Sequence, residues 1–168
     1  MPCPNLAEAV YKVFEGVAFP DCAQCSECCY SPWFLKEEYD KHKLRVGKSL
    51  KIINSVPILA GQDHCCFVNE NRCAIYLDRP LDCRLYPLDI IEEDDQYWWC
   101  LYTSCPKWEQ LGEKLTPLIP RLESLITQDL FEEFMRQISC TKTIYAPYSS
   151  KQYRIVRKFK SDQLKEEN

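Results

Sequence analysis

The cysteines between positions 22 and 29 lie closer together than packing alone requires. The stretch CAQCSECC holds Cys22, Cys25, Cys28 and Cys29. In a loop, thiols at every third residue can converge on one centre, and the same C-x2-C-x2-C run binds iron–sulfur clusters in bacterial ferredoxins, where a remote cysteine followed by proline completes a site. Here Cys105 precedes a proline. The spacing therefore predicts an iron–sulfur site formed by Cys22, Cys25, Cys28 and Cys105.

Zinc is the competing interpretation of the same cysteines. Structural zinc sites use four cysteines, or cysteines with histidine, often as two C-x2-C pairs. Such turns often carry a glycine beside a cysteine, because glycine lets the backbone fold tightly. None of the four glycines in this chain adjoins a cysteine. The pattern favours iron and leaves zinc as the alternative.

Several other cysteines admit a packing role. Cys29 directly follows Cys28, and neighbouring side chains diverge. Cys29 therefore binds a second ion, acts as a nearby thiol, or packs as a small apolar residue. Cys3, Cys100 and Cys140 are isolated in apolar surroundings and are predicted to pack.

The two histidines receive different predictions. His64 lies beside Cys65 and Cys66 and is a candidate nitrogen ligand. His42 lies in a highly charged stretch and is predicted to be solvated.

Composition places the protein among globular proteins of a reducing compartment. The 168 residues are 46% hydrophobic and 27% charged, and no apolar run reaches the roughly 20 residues of a spanning helix. The first residues do not resemble a secretory signal, so a cytoplasmic location is expected. Because disulfides seldom persist there, the twelve cysteines indicate metal ligation or catalysis rather than disulfide bonds.

Charge limits the partners that we expect. The net charge is −4 and the isoelectric point is about 5.3, whereas residues 141–168 are mildly basic. A protein that binds nucleic acid needs a basic face, which only this last segment could supply. Binding to nucleic acid or to a membrane is therefore not expected, and the basic segment is interpreted as solvated or as a patch for an acidic protein partner.

Helices are predicted on either side of the cysteine-rich region. Asn5 can cap a helix whose apolar residues, from Leu6 to Val17, share one face. A second, charged helix is predicted to start at Ser31 and Pro32, to reach Gly47 and to cover the site. Residues 106–138 again show helical spacing.

Two hairpins are predicted between these helices. In CCFVNENRCAIYL the polar NENR turn separates two short alternating pieces, with Cys66 and Cys73 near opposite ends. In LDIIEEDDQYWWCLY the acidic EEDD run forms the tip. The prolines of DRPLDCRLYP limit that segment to a turn or a short helical piece, and SLKIINSVPILAGQ is a connector of open form.

These elements predict a small single α+β domain with helices packed around short hairpins and with cysteine-bearing loops that hold a metal centre. Residues 1–140 would form this domain, comprising the signature region 22–106 and a helical part, 107–140. Residues 141–168 would form a polar tail in which QYRIVRKFK adds a strand.

Three stretches, CAQCSECC, CFVNENRCAIYLDRPLDCRLYP and SCP, together resemble the CxxCxxCC family of zinc- or iron-chelating proteins, often called YkgJ-type cysteine-cluster proteins. The resemblance covers about Cys22 to Pro106. Leu88 stands where many members have phenylalanine. Cys65 is an addition, so either Cys65 or Cys66 could be the ligand. The ligands that the resemblance implies are Cys22, Cys25, Cys28, Cys29, Cys66, Cys73, Cys83 and Cys105.

Thiolates around a metal leave a negative centre that a guanidinium group can offset. Arg84, beside Cys83, is a candidate for this role, and Arg79 is another. The alternative is that both arginines form surface salt bridges with Asp78, Asp82 or Asp89.

The resemblance implies metal chelation without implying a reaction. Flagellin lysine N-methylases carry a similar cysteine region, so an iron–sulfur enzyme is the second hypothesis and a thiol-based redox sensor the third. The chain has no G-x-G-x-x-G loop for a cofactor. We predict a metal-binding protein with an iron–sulfur cluster, [4Fe–4S] before other types, or zinc, in a structural or electron-transfer role rather than a catalytic one.

Overall fold

The protein combines short helices with small antiparallel sheets, which confirms the predicted α+β class. The computed structural model describes residues 6–17, 25, 32–46, 50–53, 56–59, 65–126 and 153–160. The chain divides into two compact units, residues 1–84 and residues 85–168. Within the described ranges, no helix is long and apolar enough to cross a membrane. The predicted division at residue 140 stays a prediction.

Two helices of the first unit have the predicted amphipathic or charged character. Helix α1 spans Leu6–Val13 and buries Val10 and Val13, part of the predicted apolar face. Helix α2 spans Lys36–Val46. The proposed cap of α1, Asn5, lies outside the described residues.

Helix α2 begins later than predicted, at Lys36 rather than near Pro32. Trp33, Phe34 and Leu35 are almost fully buried and precede the helix as non-helical chain. The carboxylate of Glu38 accepts the backbone N–H of Leu35 at 2.9 Å. In this bond a glutamate of the first helical turn accepts the N–H of the residue that precedes the helix, which fixes the start of α2 after Leu35.

The first unit also contains two hairpins. Strand β1 (Leu50–Ile53) pairs antiparallel with β2 (Val56–Leu59). This hairpin lies in the segment that was interpreted as a connector without a predicted secondary structure. Strand β3 (Val68–Asn69) pairs with β4 (Arg72–Cys73), which confirms the predicted hairpin. Its turn consists of Glu70 and Asn71, whose φ angles of 49° and 61° are those that a two-residue hairpin turn requires.

A short helical segment follows, as the prolines predict. A 3-10 helix covers Tyr76–Asp78, and helix α3 covers Leu81–Leu85. Pro80 precedes α3 and its carbonyl accepts the N–H of Arg84 at 3.1 Å, which closes the first helical turn. A proline is compatible with this position because the first N–H groups of a helix have no partner within the helix.

A three-stranded sheet forms the centre of the second unit. Strands β5 (Leu88–Glu93), β6 (Gln96–Tyr102) and β7 (Tyr153–Lys158) pair antiparallel in the order β5-β6-β7. The predicted second hairpin and the predicted strand near the end of the chain are both confirmed. The turn of this hairpin is shorter than the predicted EEDD tip. It consists of Asp94 and Asp95, which have left-handed φ angles, whereas Glu92 and Glu93 belong to strand β5.

Helices cover this sheet with an apolar face. Helix α4 spans Trp108–Leu115, a 3-10 turn spans Thr116–Leu118, and helix α5 spans Ile119–Leu125. The helical prediction is confirmed over 108–125, and residues 127–138 lie outside the described part of the chain. The buried residues of this unit include Leu88, Ile90, Trp99, Leu101, Leu111, Leu115, Ile119, Leu122 and Phe159.

Candidate metal centre

The structure describes seven of the twelve cysteines. They are Cys25, Cys65, Cys66, Cys73, Cys83, Cys100 and Cys105. Five of these belong to the eight predicted ligands. The predicted ligands Cys22, Cys28 and Cys29, the predicted packing residues Cys3 and Cys140, and His64 lie outside the described residues.

The adjacent Cys65 and Cys66 have opposite environments. Cys65 is buried in an apolar cluster with Phe34, Phe67 and Ile75. Cys66 is exposed and shares a hydrogen bond with the side chain of Cys65, while partial desolvation raises the pKa of the Cys66 thiol. Of the two neighbouring thiols, that of Cys66 is the more accessible.

Cys73 and Cys83 are half-buried and stand on regular elements rather than in loops. Cys73 ends strand β4, opposite Val68, and packs against the cluster that contains Cys65. Cys83 lies in helix α3. The prediction that the cysteines lie in loops is therefore wrong for these two. The hairpin turn is short enough for Cys73 to pair within strand β4, and the helical turn that starts after Pro80 includes Cys83. Such elements hold a ligand more rigidly than a loop does.

Two carboxylates connect helix α3 to the chain that follows the cysteine run. Glu38 Oε1 accepts the backbone N–H of Leu81 at 2.7 Å. Asp82 Oδ2 accepts the backbone N–H of Trp33 at 3.2 Å. The helix that carries Cys83 is thereby fixed to residues 33–38.

Glu38 is the most connected polar side chain of this region. It is 2% exposed and accepts hydrogen bonds from the Tyr11 hydroxyl at 2.5 Å and from the backbone N–H groups of Leu35 and Leu81. Burial raises the pKa of Glu38, and burial together with the nearby Glu38 carboxylate raises the pKa of Tyr11. Sequence reasoning missed Glu38 because it stands among other charged residues; its position three residues after Leu35 was the available signal.

His42 is buried, so the prediction that it is solvated is wrong. It is 2% exposed, its ring packs edge-on against Phe67 at 5.6 Å, and Nε2 lies 3.0 Å from the Asp78 carbonyl oxygen. Since a carbonyl oxygen only accepts, Nε2 carries the proton. One helical turn separates His42 from Glu38, so both point to the inner face of α2. Burial lowers the pKa of His42.

The two arginines of the signature segment are anchored within the first unit. Arg84 lies over the ring of Tyr11 at 4.1 Å and donates to the carbonyl oxygens of Arg79 and Leu77 at 2.9 and 2.6 Å. Arg79 is 8% exposed and lies over the ring of Tyr76. The interpretation of Arg79 as a surface residue is therefore wrong.

Two of the aspartates proposed as salt-bridge partners of these arginines also contact other residues. Asp78 forms an ion pair with Lys41 at 2.6 Å, and Asp89 accepts the N–H of Ile90 at 2.8 Å. The ion pair with Lys41 is the main cause that lowers the pKa of Asp78.

Two described cysteines belong to the second unit. Cys100 is completely buried in strand β6, which confirms its predicted packing role. Cys105 is 7% exposed and lies in the turn between β6 and α4, where its carbonyl oxygen accepts the N–H of Trp108 at 3.1 Å.

The donor chemistry fits zinc or iron, although the described residues alone do not form a complete site. Among them, no three cysteine, histidine or acidic side chains are grouped closely enough to hold a metal ion. The candidate donors are thiols, which suit zinc and iron–sulfur clusters better than they suit magnesium or calcium. Three further thiols of the cysteine run belong to the same predicted set.

Comparison with known protein families identifies the family of this chain. The family model CxxCxxCC, described as a "Putative zinc- or iron-chelating domain", matches residues 21–106, half of the chain. The chain belongs to the CxxCxxCC family. This confirms the resemblance seen in the sequence, and the family description covers both metals. No curated protein and no solved structure matches this CxxCxxCC chain.

Proposed function

We propose that the protein binds an iron–sulfur cluster, of the [4Fe–4S] type, as a structural or electron-transfer centre. The ligands would come from Cys22, Cys25, Cys28, Cys29, Cys66, Cys73, Cys83 and Cys105. The observation that supports this most is the contrast in burial among the cysteines. Cys66 is exposed and Cys25, Cys73 and Cys83 are half-buried, whereas the additional Cys65 and the packing residue Cys100 are buried; among the described candidate ligands, Cys105 is the buried exception.

Iron is preferred to zinc on the spacing of the thiols. Three cysteines at every third residue and a remote Cys-Pro pair follow the ferredoxin pattern, and no glycine adjoins a cysteine. Bound thiolates would give the centre a negative charge. Arg84 lies in helix α3 directly after Cys83, and Arg79 precedes this helix. Both guanidinium groups lie over aromatic rings and would supply positive charge to the centre.

A role without catalysis follows from the number of thiols. One cluster needs four ligands, and eight candidates can occupy every position or hold a second metal. A metal whose positions are all filled by cysteine has none open for a reacting group. The cluster would then stabilise the fold or transfer electrons.

The contacts of the basic residues near the end of the chain argue against binding to nucleic acid. Arg157 forms an ion pair at 2.6 Å with the buried Glu123, and Arg154 lies over the ring of Trp108. Two of the cations that could contact phosphates are thus engaged within the second unit. We propose that the cytoplasmic protein exchanges electrons or assembles with a protein partner and does not bind membranes.

Substitution of individual cysteines tests the ligand assignment. Cys83→Ser and Cys66→Ser should lower the metal content per chain of purified protein, because serine is a poor ligand for these metals. Cys65→Ala and Cys100→Ala should leave it unchanged, since their sulfur atoms pack in apolar surroundings. Cys3→Ser and Cys140→Ser should also retain the metal. Equal metal loss in all six variants would contradict the assignment.

A further inference from the structure

The contacts of helix α2 concentrate on the segment that leads to Cys83. Glu38 accepts the N–H of Leu81 at 2.7 Å, Lys41 pairs with the Asp78 carboxylate at 2.6 Å, and His42 donates to the Asp78 carbonyl at 3.0 Å. These three side chains lie on adjoining positions of one helix face. Helix α2 is therefore joined to the chain around α3 by side chains over more than one turn.

The same helix begins immediately after the segment that follows the cysteine run. Glu38 also accepts the N–H of Leu35, and the N–H of Trp33 is bound by Asp82, next to Cys83. Trp33 is the fourth residue after Cys29, so their Cα atoms are at most about 14 Å apart along any path of the chain. A contact that fixes Trp33 and Leu35 against α3 therefore limits how far the cysteine run can lie from Cys83.

A carboxylate is required for the three bonds of Glu38. Its two oxygens accept from one hydroxyl and two backbone N–H groups, and all three donors are directed at acceptor atoms. A glutamine side chain has the same shape but carries an NH2 group in place of one oxygen. In either orientation this NH2 group would face a backbone N–H, and two donors cannot form a hydrogen bond. At 2% exposure, water cannot replace the lost bond, so the unsatisfied donor is costly.

We propose that Glu38 is a positioning residue for the metal centre, which limits the distance between the cysteine run and Cys83 by binding Leu35 and Leu81 together. Asp82 contributes to the same connection through Trp33. This inference rests on the proposed metal-binding function and adds a residue to it. Glu38 makes no contact with the metal and acts through the placement of the ligands.

Glu38→Gln tests the inference in the intact protein. Removal of residues that orient metal ligands typically lowers metal affinity by about 10- to 100-fold. We expect the variant to release the metal with which it is purified to excess EDTA at least tenfold faster than the wild type, at a temperature well below its unfolding midpoint. The visible absorption of the metal centre in the purified variant should also be lost faster than in the wild type when EDTA is added, because the thiolates are held less firmly.

Two matched variants separate positioning from general loss of stability. Glu123→Gln changes a carboxylate that is 7% exposed and that also accepts three hydrogen bonds, from Trp99, Arg157 and Lys160, in the second unit. Asp40→Asn makes the same charge change on the exposed side of α2. Both should release metal at a rate within about twofold of the wild type, since neither touches the connection to α3.

The outcomes distinguish the two proposals. If the wild type holds stoichiometric metal and Glu38→Gln releases it no faster than Glu123→Gln, the positioning role is wrong and metal binding stands. If the wild type holds no stoichiometric metal, the proposed function itself is wrong. Should Glu38→Gln fail to fold, Asp82→Ala takes its place; accelerated release supports the connection, and wild-type release by that variant overturns it.

Discussion

At the scale of single residues, the sequence predicts the chemistry of the cysteines better than it predicts buried polar groups. The spacing of the thiols is sufficient to indicate a metal site, because few other roles need thiols so close together. His42 and Glu38 were not recognised, since both occur in a stretch whose neighbours are charged and exposed. Only the packing of α2 against Phe67 and Leu81 shows that one face of this charged helix is buried.

The burial of His42 predicts a pH dependence of stability. Its folded-state pKa lies below the ordinary value of 6.5, so the unfolded chain binds the proton first as the pH falls. The free energy of unfolding should therefore decrease below about pH 6.5, by at most about 1.4 kcal/mol per pH unit. Above that pH, His42 is neutral in both states and contributes no slope.

His42→Gln is the control for this dependence. Its amide can still donate to the Asp78 carbonyl and does not titrate. Urea unfolding of wild type and variant between about pH 7.5 and 5 should show a steeper loss of stability in the wild type. Parallel curves would contradict a buried, neutral His42.

At the scale of elements, short-range patterns identified most hairpins and helical segments. Alternating residues around NENR and EEDD correctly placed β3–β4 and β5–β6, because hairpins depend on local turns and on side-chain alternation. The start of α2 was misplaced, since the burial of Trp33 and Phe34 and the bond of Trp33 to Asp82 depend on contacts with distant chain. The hairpin β1–β2 was not predicted, because Pro57 and the nearby glycine suggested a connector.

Gly112 determines how closely helix α4 can approach strand β6. A Cβ atom at this position would lie 2.6 Å from Cδ1 of Leu101, which is 6% exposed. Gly112→Ala gains up to about 1 kcal/mol in helix propensity but incurs an overpacking cost of about 1–3 kcal/mol. We expect a net loss of about 1 kcal/mol in the free energy of unfolding, measured by urea denaturation.

An exposed position on the same helix provides the comparison for Gly112→Ala. Glu113→Ala should change the free energy of unfolding by less than about 0.5 kcal/mol, because its side chain lies in solvent. A more stable Gly112→Ala variant would show that Leu101 moves aside without cost.

At the scale of the whole molecule, metal binding is expected to stabilise the two units unequally. Seven of the eight predicted ligands, all except Cys105, and most of the family match fall before residue 85. Because these ligands come from several short elements, a bound metal contributes directly to the stability of the folded state. Helices α4 and α5 have an apolar core of their own, with Leu115 and Ile119 fully buried.

Hydrogen exchange can resolve this difference along the chain. Removing the metal with a chelator should increase amide exchange in residues 20–106 more than in the helical residues 117–125. The same change of protection in both regions, or none in either, would contradict the link between the metal and the cysteine-bearing segments.

The central claim is that the thiols bind an iron–sulfur cluster, and the visible absorption spectrum of anaerobically purified protein, recorded together with its metal and sulfide content, tests it most directly. We predict a brown protein with broad charge-transfer absorption, iron and acid-labile sulfide, because thiolate-ligated clusters absorb in this way. A colourless protein with stoichiometric zinc would contradict the cluster while preserving metal chelation. A protein without stoichiometric metal would contradict the proposed function.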